Sequence, residues 1–501
     1  MAGQTQFLAP ALFTMSIHLP ILRSLLARPL ATRIVDDKRP YRGAELLIAS
    51  AHAAAAIRPK CDAPRVGVML PTSGAFPIAA LAGWMLGKTV VPLNYLLKQE
   101  ELQYVVEDAG LDTVVTARAL LDHMGYAPRV AHAVMMDDID FRGVPEPVWP
   151  IGASADDLGV LLYTSGTSGK PKGVMLTHGN IAANISQVLR WIDLGASDKM
   201  LGVLPQFHSF GLTVLTLLPL SAGVPVVYTA RFVPSKIVRL IREHRPTMLV
   251  AIPSMYAALL HVKDATREDF ASLRIVVSGG EPLPAAVFNG FRERFGVTIN
   301  EGYGLTETAP VTNWCRPGEW RPHSVGKPLP DIDQRIVEPA TGRTLPPGRD
   351  GEVQMRGPNI MRGYYRLPDE TAKTFTSDGY FRTGDIGRHD VDGHLYITGR
   401  IKEMIIVGGE NVFPREIEEV LNQHPAVGAS GVIGVRDDIR GELPTAFVEF
   451  KEGASATEQE LLSWCRGRLA GYKVPREVRV VEALPRSPTG KIMRRELSKM
   501  V

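Results

Sequence analysis

The chain has 501 residues, 45% of them hydrophobic and 22% charged, an ordinary globular composition whose length exceeds what one core supports; at least two domains are expected. The net charge of +3, from 56 lysines and arginines against 53 aspartates and glutamates, is scattered rather than striped and speaks against nucleic acid as a partner. Three distant cysteines, Cys61, Cys315 and Cys465, with no C-x-x-C pair, argue against a zinc site and for a reducing compartment, hence a cytoplasmic location.

The first 35 residues contain no acid, and Arg23, Arg28 and Arg33 interrupt apolar residues such as Phe7, Leu8, Phe13, Ile17, Ile21 and Leu25. A signal peptide wants its positive charges before the apolar run, and a membrane span wants about 18 or more uncharged apolar residues. Neither fits, because the charges follow and His18 and Arg23 break the run. An amphipathic helix resting on the main domain or on a membrane surface is expected, with an organellar transit peptide as the remaining reading.

From Arg65 short apolar runs alternate with helical stretches: Val66 to Leu70, a helix near Ile78 to Leu86, Val90 to Leu93, a helix from Gln99 to Ala109, and Thr113 to Thr116. The rhythm returns at Lys199 to Leu204, Val224 to Tyr228, Met248 to Ile252, Ile275 to Ser278 and Val297 to Glu301. This alternation predicts a large α/β domain of mainly parallel sheets. Past Thr341 the sequence turns to turn-rich β, read as a small barrel or sheet closing the large domain. After Arg400 an α+β unit follows: strands at Met404 to Val407, Val427 to Val435 and Thr445 to Phe450, and helices at Pro414 to Gln423 and Thr457 to Leu469. The expected domains are 1–400 and 401–501, with the boundary at Arg400 to Glu403.

The densest chemistry lies at Tyr163 to Val174, Y-T-S-G-T-S-G-K-P-K-G-V. Thr164, Ser165, Thr167 and Ser168 supply hydroxyls, Gly166, Gly169 and Gly173 permit close backbone approach, and Lys170 and Lys172 supply charge. Such a loop suits a polyphosphate. Gly166 to Lys170 reads G-x-x-G-K followed by Pro171, which is not the Walker spacing, so a P-loop NTPase is not indicated. A flexible Gly/Ser surface loop is the alternative; the apolar runs on either side instead suggest two strands joined by a functional turn.

Further segments join this loop: P-Q-F-H-S-F-G (Pro205 to Gly211), V-V-S-G-G-E-P-L (Val276 to Leu283), E-G-Y-G-L-T-E-T (Glu301 to Thr308), Y-F-R-T-G-D (Tyr380 to Asp385), G-R-I-K-E-M-I-I-V-G-G-E-N-V-F-P-R-E-I-E (Gly399 to Glu418) and P-R-S-P-T-G-K ending at Lys491. With them the chain, from about Tyr41 to its C-terminus, resembles the adenylate-forming superfamily of acyl-CoA synthetases, peptide-synthetase adenylation domains and luciferases. The resemblance implies a two-step reaction. A carboxylate and ATP give an acyl-adenylate and pyrophosphate, and a thiol then displaces AMP. It also implies ATP, Mg²⁺ and CoA as cofactor and co-substrates.

Attack on the α-phosphate builds negative charge on phosphoryl oxygens, so catalysis is positioning plus preorganised positive charge. By the resemblance, Lys491 is the residue that bridges the acid and the α-phosphate, Glu307 holds Mg²⁺, and Thr306 touches the α-phosphate. Asp385 is the acid that accepts both ribose hydroxyls, with Arg400 as second partner. Tyr303 offers a ring face to adenine, with Gly304 beside it, and Gly279, Gly280 and Glu281 offer a backbone edge. His208 resembles the residue lining the acyl channel, though a lone histidine is more often structural.

Amino-acid-activating relatives carry an aspartate in an F-D context that pairs with the substrate ammonium. Here the position reads Phe207-His208, and an unpaired buried cation would be costly, so a plain carboxylic acid is indicated. The expected channel, Phe207, Phe210, Gly211, Val214, Gly302, Gly304, Ala309 and Val311, has no evident polar anchor and suits an alkyl chain. A medium- to long-chain fatty acid is the expected substrate, with an aryl acid as alternative. Gly408, Gly409 and Glu410 resemble the loop that approaches pantetheine, an arm shared by CoA and acyl carrier protein; CoA is favoured. Lys402 matches the family's hinge position. Ile406 stands where some CoA-ligase relatives have lysine. A luciferase-like oxygenase, and a nucleotide-binding protein without turnover, are the rival readings; the presence of Lys491, Glu307 and Asp385 speaks against the second.

Overall fold

The computed structural model describes residues 16–164, 170–195, 197–438, 440–486 and 492–501. Within them the βαβ rhythm builds two large sheets. One has seven strands in the order Gly363–Tyr364, Lys172–Thr177, Leu158–Thr164, Thr89–Pro92, Arg65–Val68, Thr113–Thr116, His132–Met135. It is parallel from Leu158–Thr164 onward and antiparallel at its Lys172–Thr177 side. The other has nine strands and is parallel from Asn300–Gly304 through Ile275–Ser278, Met248–Ala251, Met200–Gly202 and Val226–Tyr228 to Thr32–Val35. Ile275–Ser278 and Met248–Ala251 are buried along their whole length, because helices cover both faces of a parallel sheet. That is why these strands read as unbroken apolar runs.

The strand expected at Val297 to Glu301 lies instead at Asn300–Gly304. Val297 and Ile299 are buried, but ladder pairing starts only where Asn300 meets Val277, and Gly302 and Tyr303 are drawn into the strand by Trp314 and Asn313 on the other side. The turn-rich stretch after Thr341 resolves to a sheet, the antiparallel order Asp333–Val337, Gly351–Arg356, Phe381–His389, Leu395–Arg400.

The basic leader forms helix His18–Ala27, and its apolar face goes inward: Ile17, His18, Ile21 and Leu25 join the main core. Of the two surfaces expected for it, the main domain is the one it covers. Residues 1–15 lie outside the described residues. No described helix is long and apolar enough to cross a membrane. His18 packs edge-on against His178 with ring centroids 6.2 Å apart, and His178 Nδ1 accepts the Ile17 N–H at 3.1 Å. Burial pushes both imidazoles down to about 4. A group held neutral in the fold and protonated near pH 6.5 when unfolded stabilises fully above pH 6.5 and loses that contribution as the pH falls toward 4. Each histidine is worth at most about 3 kcal/mol on that scale. Thermal unfolding followed between pH 7 and 4 is therefore expected to lose stability steeply below pH 6.5, and His18→Leu to flatten part of that slope; an identical slope would show that the pair does not carry it.

Beyond Arg400 a short 3₁₀ turn, Ile401–Glu403, leads to a second apolar cluster that starts at Ile405 and includes Val407, Ile417, Leu421, Val432 and Leu461. Its sheet runs Glu410–Val412, Ile405–Val407, Gly441–Phe450, Val427–Asp437, with Glu477–Val480 added in parallel to Gly441–Phe450. Helix Pro414–Asn422 starts with proline at its first turn, where the missing N–H costs nothing, and buries Ile417 and Leu421.

Candidate active site

Most of the motif residues lie at the carboxyl ends of neighbouring strands, where ligands of open α/β sheets bind. Ile275–Ser278 and Asn300–Gly304 are parallel neighbours with Ser278 opposite Glu301, so Gly279–Glu281 and Gly302–Gly304 emerge side by side. Met200–Gly202 feeds the Pro205 to Gly211 segment. Leu158–Thr164 and Lys172–Thr177 form an antiparallel pair with Thr164 opposite Lys172, and these two strands flank the glycine loop. Ser165, Gly166, Thr167, Ser168 and Gly169 lie outside the described residues, as does Lys491. The residues flanking the latter, Arg486 and Ile492, form an antiparallel bridge.

One polar cluster joins three of the expected nucleotide residues. The Tyr303 hydroxyl donates to Asp385 Oδ2 at 2.5 Å, and Arg400 Nε lies 2.8 Å from Asp385 Oδ1. Asp385 is buried and faces Arg400 directly across the antiparallel strands. Its N–H also donates to Thr383 Oγ1 at 3.0 Å. Desolvation, then the Asp385 charge, pushes the Tyr303 phenol well above its ordinary value, so it remains a donor. A carboxylate held in this way is a preorganised acceptor for a diol. Asp385 is thus fixed by its neighbours.

A second cluster surrounds Glu307. Thr306 Oγ1 lies 3.2 Å from Ser209 Oγ, which ties the acidic segment to the Phe207-His208 segment. The Tyr364 hydroxyl donates to Glu307 Oε1 at 2.8 Å. Lys172 Nζ pairs with Glu370 Oε2 at 2.7 Å and lies 5.3 Å from the centroid of the Tyr364 ring. Lys170 Nζ lies 5.3 Å from the Tyr104 ring centroid. Among the described residues no group of three or more His, Cys, Asp or Glu gathers to hold an ion. A single oriented carboxylate fits Mg²⁺, which is usually held by one or two carboxylates together with substrate phosphates.

The expected channel residues sit under the same strand ends. A Cβ on Gly279 would meet the Phe210 ring at 3.0 Å, so the phenyl lies flush against the glycine backbone. Phe210–Leu217 is a π-helix, a geometry frequent at functional sites, and it carries the buried Val214. Phe207 is buried with its ring edge-on to Tyr95 at 5.0 Å. The His208 ring accepts the Phe210 N–H at 3.3 Å through Nδ1. Gly211 and Gly304 are required by packing: a Cβ there would stand 1.9 Å from the Pro205 carbonyl oxygen and 1.8 Å from that of Pro310. Gly280 has φ +83°, which favours glycine. Ala309 and Val311 are buried, and Asn184 both donates to the Val311 carbonyl (2.6 Å) and accepts its N–H (3.1 Å).

The thiol-side residues are not brought to these clusters. Gly408 and Gly409, with φ +60° and +89°, form the turn between Ile405–Val407 and Glu410–Val412. A Cβ on either would meet nothing within 4 Å, and the Gly408 N–H donates to the Arg440 carbonyl at 2.7 Å. Glu410 is exposed. The small unit instead presents Phe413 and Arg415: Phe413 packs on Gly399, and Arg415 donates to the Ile397 carbonyl. Lys402 lies in the intervening 3₁₀ turn.

Sequence reasoning gave no role to Ser209, Glu301, Tyr364 or Glu370. Glu301 is buried beneath the Gly279–Glu281 edge, where desolvation pushes its carboxyl up to about 7 against the opposing pull of Arg415 from the small unit. The local sequence around Tyr364, R-G-Y-Y, has no pattern that names a partner 57 residues away; only the sheet edge brings Tyr364 to Glu307.

An aspartate oriented by a phenol and a guanidinium, lysines at the close of the glycine loop and a second oriented acid are the groups that an enzyme of α/β class activating its substrate with a nucleotide needs. The chain belongs to the AMP-binding enzyme family, whose model matches residues 23–365, and the model of the AMP-binding enzyme C-terminal domain matches residues 416–491. It is 35% identical over 479 residues to a long-chain-fatty-acid–CoA ligase of Bacillus subtilis (strain 168), covering 86% of this chain and 85% of that one. It is equally 35% identical, over 451 residues and 89% of each chain, to a feruloyl-CoA synthase of Amycolatopsis sp. The fold is similar to that of the o-succinylbenzoate coenzyme A synthetase MenE of Bacillus subtilis in complex with ATP and magnesium ion, with TM-score 0.85, 30% identity, and 96% and 99% of the two chains covered. The chain is an acid–thiol ligase of the adenylate-forming superfamily.

Proposed function

We propose that this chain is an ATP-dependent acid:CoA ligase acting on a medium- to long-chain fatty acid. The observation that carries the nucleotide half is the Tyr303–Asp385–Arg400 cluster, an oriented acceptor for a diol. Asp385 accepts the ribose hydroxyls, Tyr303 and the Gly279–Glu281 edge flank adenine, and Thr164, Lys170 and Lys172 with the intervening loop take the phosphates. Glu307 would hold Mg²⁺ together with those phosphates, and the ion would supply charge neutralisation there. A carboxylate oxygen of the acid attacks the α-phosphorus, pyrophosphate leaves, and Lys491 and Thr306 face the developing charge. A thiol then attacks the acyl carbonyl and AMP leaves.

The fatty-acid assignment rests on the apolar Phe207, Phe210, Val214, Ala309 and Val311, and on His208 in place of an ammonium-pairing aspartate. The relatives include both a fatty-acid and a feruloyl enzyme, so the acid is the point that the experiment must address. The assay is pyrophosphate release across a panel of acids, alkyl, aryl and short dicarboxylic, with and without CoA. Turnover greatest with C8 to C16 acids and accelerated by CoA is expected; preference for an aryl acid would overturn the substrate assignment, and transfer only to acyl carrier protein would overturn the acceptor.

The two half-reactions need different faces of the small unit. Phe413 and Arg415 contact the large unit while Gly408 and Gly409 are turned to solvent, and alternation about Lys402 would exchange them. Proline at position 402 fixes φ and restricts Ile401 before it while sparing both cores. Lys402→Pro is expected to form acyl-adenylate but transfer it poorly to CoA. Undiminished transfer from supplied acyl-adenylate would place the pivot elsewhere.

A further inference from the structure

The segment that follows Met361 has no role of its own in the reaction above, yet it touches Lys172 and Glu307. Gly363–Tyr364 pairs antiparallel with Lys172–Thr177, Tyr364 opposite Val174, so the sheet edge sets Tyr364 beside the hairpin that bears Lys172. The Tyr364 N–H donates to Thr371 Oγ1 at 2.9 Å, which fastens the residue to helix Pro368–Thr374. From this anchored backbone the hydroxyl reaches Glu307 Oε1 at 2.8 Å, and Lys172 Nζ stands over the ring, held by Glu370 at 2.7 Å. A cation over a phenol ring is attracted by its π face and draws density from the oxygen, which strengthens the O–H as a donor.

We infer that Tyr364 is the positioning residue of the cation-holding carboxylate. The phenol is clamped between the closing lysine of the glycine loop and Glu307, and it fixes one carboxylate oxygen so that the other is presented in a single direction. This rests on the assignment of Glu307 to Mg²⁺ proposed above. A glutamate side chain has three rotatable bonds, whereas Mg²⁺ demands near-ideal octahedral geometry, so an unrestrained carboxylate would reach the required geometry in only a fraction of its rotamers. Groups that orient a ligating carboxylate by hydrogen bonding typically matter about 10- to 100-fold in metal affinity. The same contact couples the two halves of the phosphate site, because Lys172 and Glu307 share one ring.

Tyr364→Phe removes only the O–H and keeps the ring, the strand pairing and the lysine contact. Mn²⁺ uptake by the full-length protein in the presence of a non-hydrolysable ATP analogue, followed by electron paramagnetic resonance, is expected to weaken about 10-fold in the variant. Binding of the metal-free analogue and the melting temperature are expected to stay as in the wild type. Unchanged Mn²⁺ affinity in the variant would overturn the inference and leave the role of Glu307 standing. A lowered melting temperature with equal loss of metal-free analogue binding would also overturn it, since that is the signature of a structural tie. Absence of Mn²⁺ uptake by the wild type with the analogue would overturn the assignment of Glu307 itself.

Discussion

Replacing Lys491 by alanine is expected to slow acid-dependent pyrophosphate release on the order of 10²-fold or more, the usual cost of deleting one preorganised transition-state donor. Thioester formation from supplied acyl-adenylate should suffer far less, because the proposed alternation of the small unit takes Lys491 away from the reacting groups for that step. The described residues on either side of Lys491 are tied together and to the small unit. Arg486 and Ile492 bridge, the Met493 N–H donates to the Pro485 carbonyl at 2.8 Å, and Arg494 pairs with Glu418 (2.8 Å) and Glu403 (2.9 Å). Glu403 belongs to the turn that contains Lys402, so the anchor of the lysine segment and the proposed pivot are one connected piece. The two half-reactions measured separately decide the role: equal damage to both would remove Lys491 from the adenylating step.

Glu307→Gln is expected to keep ATP binding and lose acid-dependent pyrophosphate release on the order of 10²-fold at limiting Mg²⁺, because the ion loses a formal anionic ligand worth several kcal/mol. The amide oxygen can still accept the Tyr364 hydroxyl, so the site should keep its shape and the loss should be one of charge. Excess Mg²⁺ is expected to restore part of the rate. A turnover near that of the wild type at low Mg²⁺ would show that Glu307 does not hold the ion.

The sheets were legible because a strand buried on both faces must be apolar throughout. Thr113–Thr116 and Ile275–Ser278 occur at the residues read from sequence, and Val66, Val90 and Met248 each fall within the strand predicted for them. The displaced strand at Asn300–Gly304 shows where that signal fails. Its last residues are Gly302, Tyr303 and Gly304, whose extension is set by pairing with Trp314 and Asn313, and no local pattern encodes a partner strand. The leader helix could be read as amphipathic but not assigned a surface, since an apolar stripe fits a protein core and a lipid interface equally well.

The sequence by itself determined the chemistry: which hydroxyls, glycines, lysines and acids are available, in which order, and that the aspartate which would pair with an amino-acid substrate's ammonium is missing at Phe207-His208. Those properties belong to individual residues and short spacings. Tertiary structure alone decided which of these groups act together, that Asp385 is held by Tyr303 and Arg400, that Thr306 meets Ser209, and that Tyr364 joins Lys172 to Glu307. These are contacts of a few ångströms between residues up to 192 positions apart in the chain, from Lys172 to Tyr364, and they exist only because strand pairing brings the segments together.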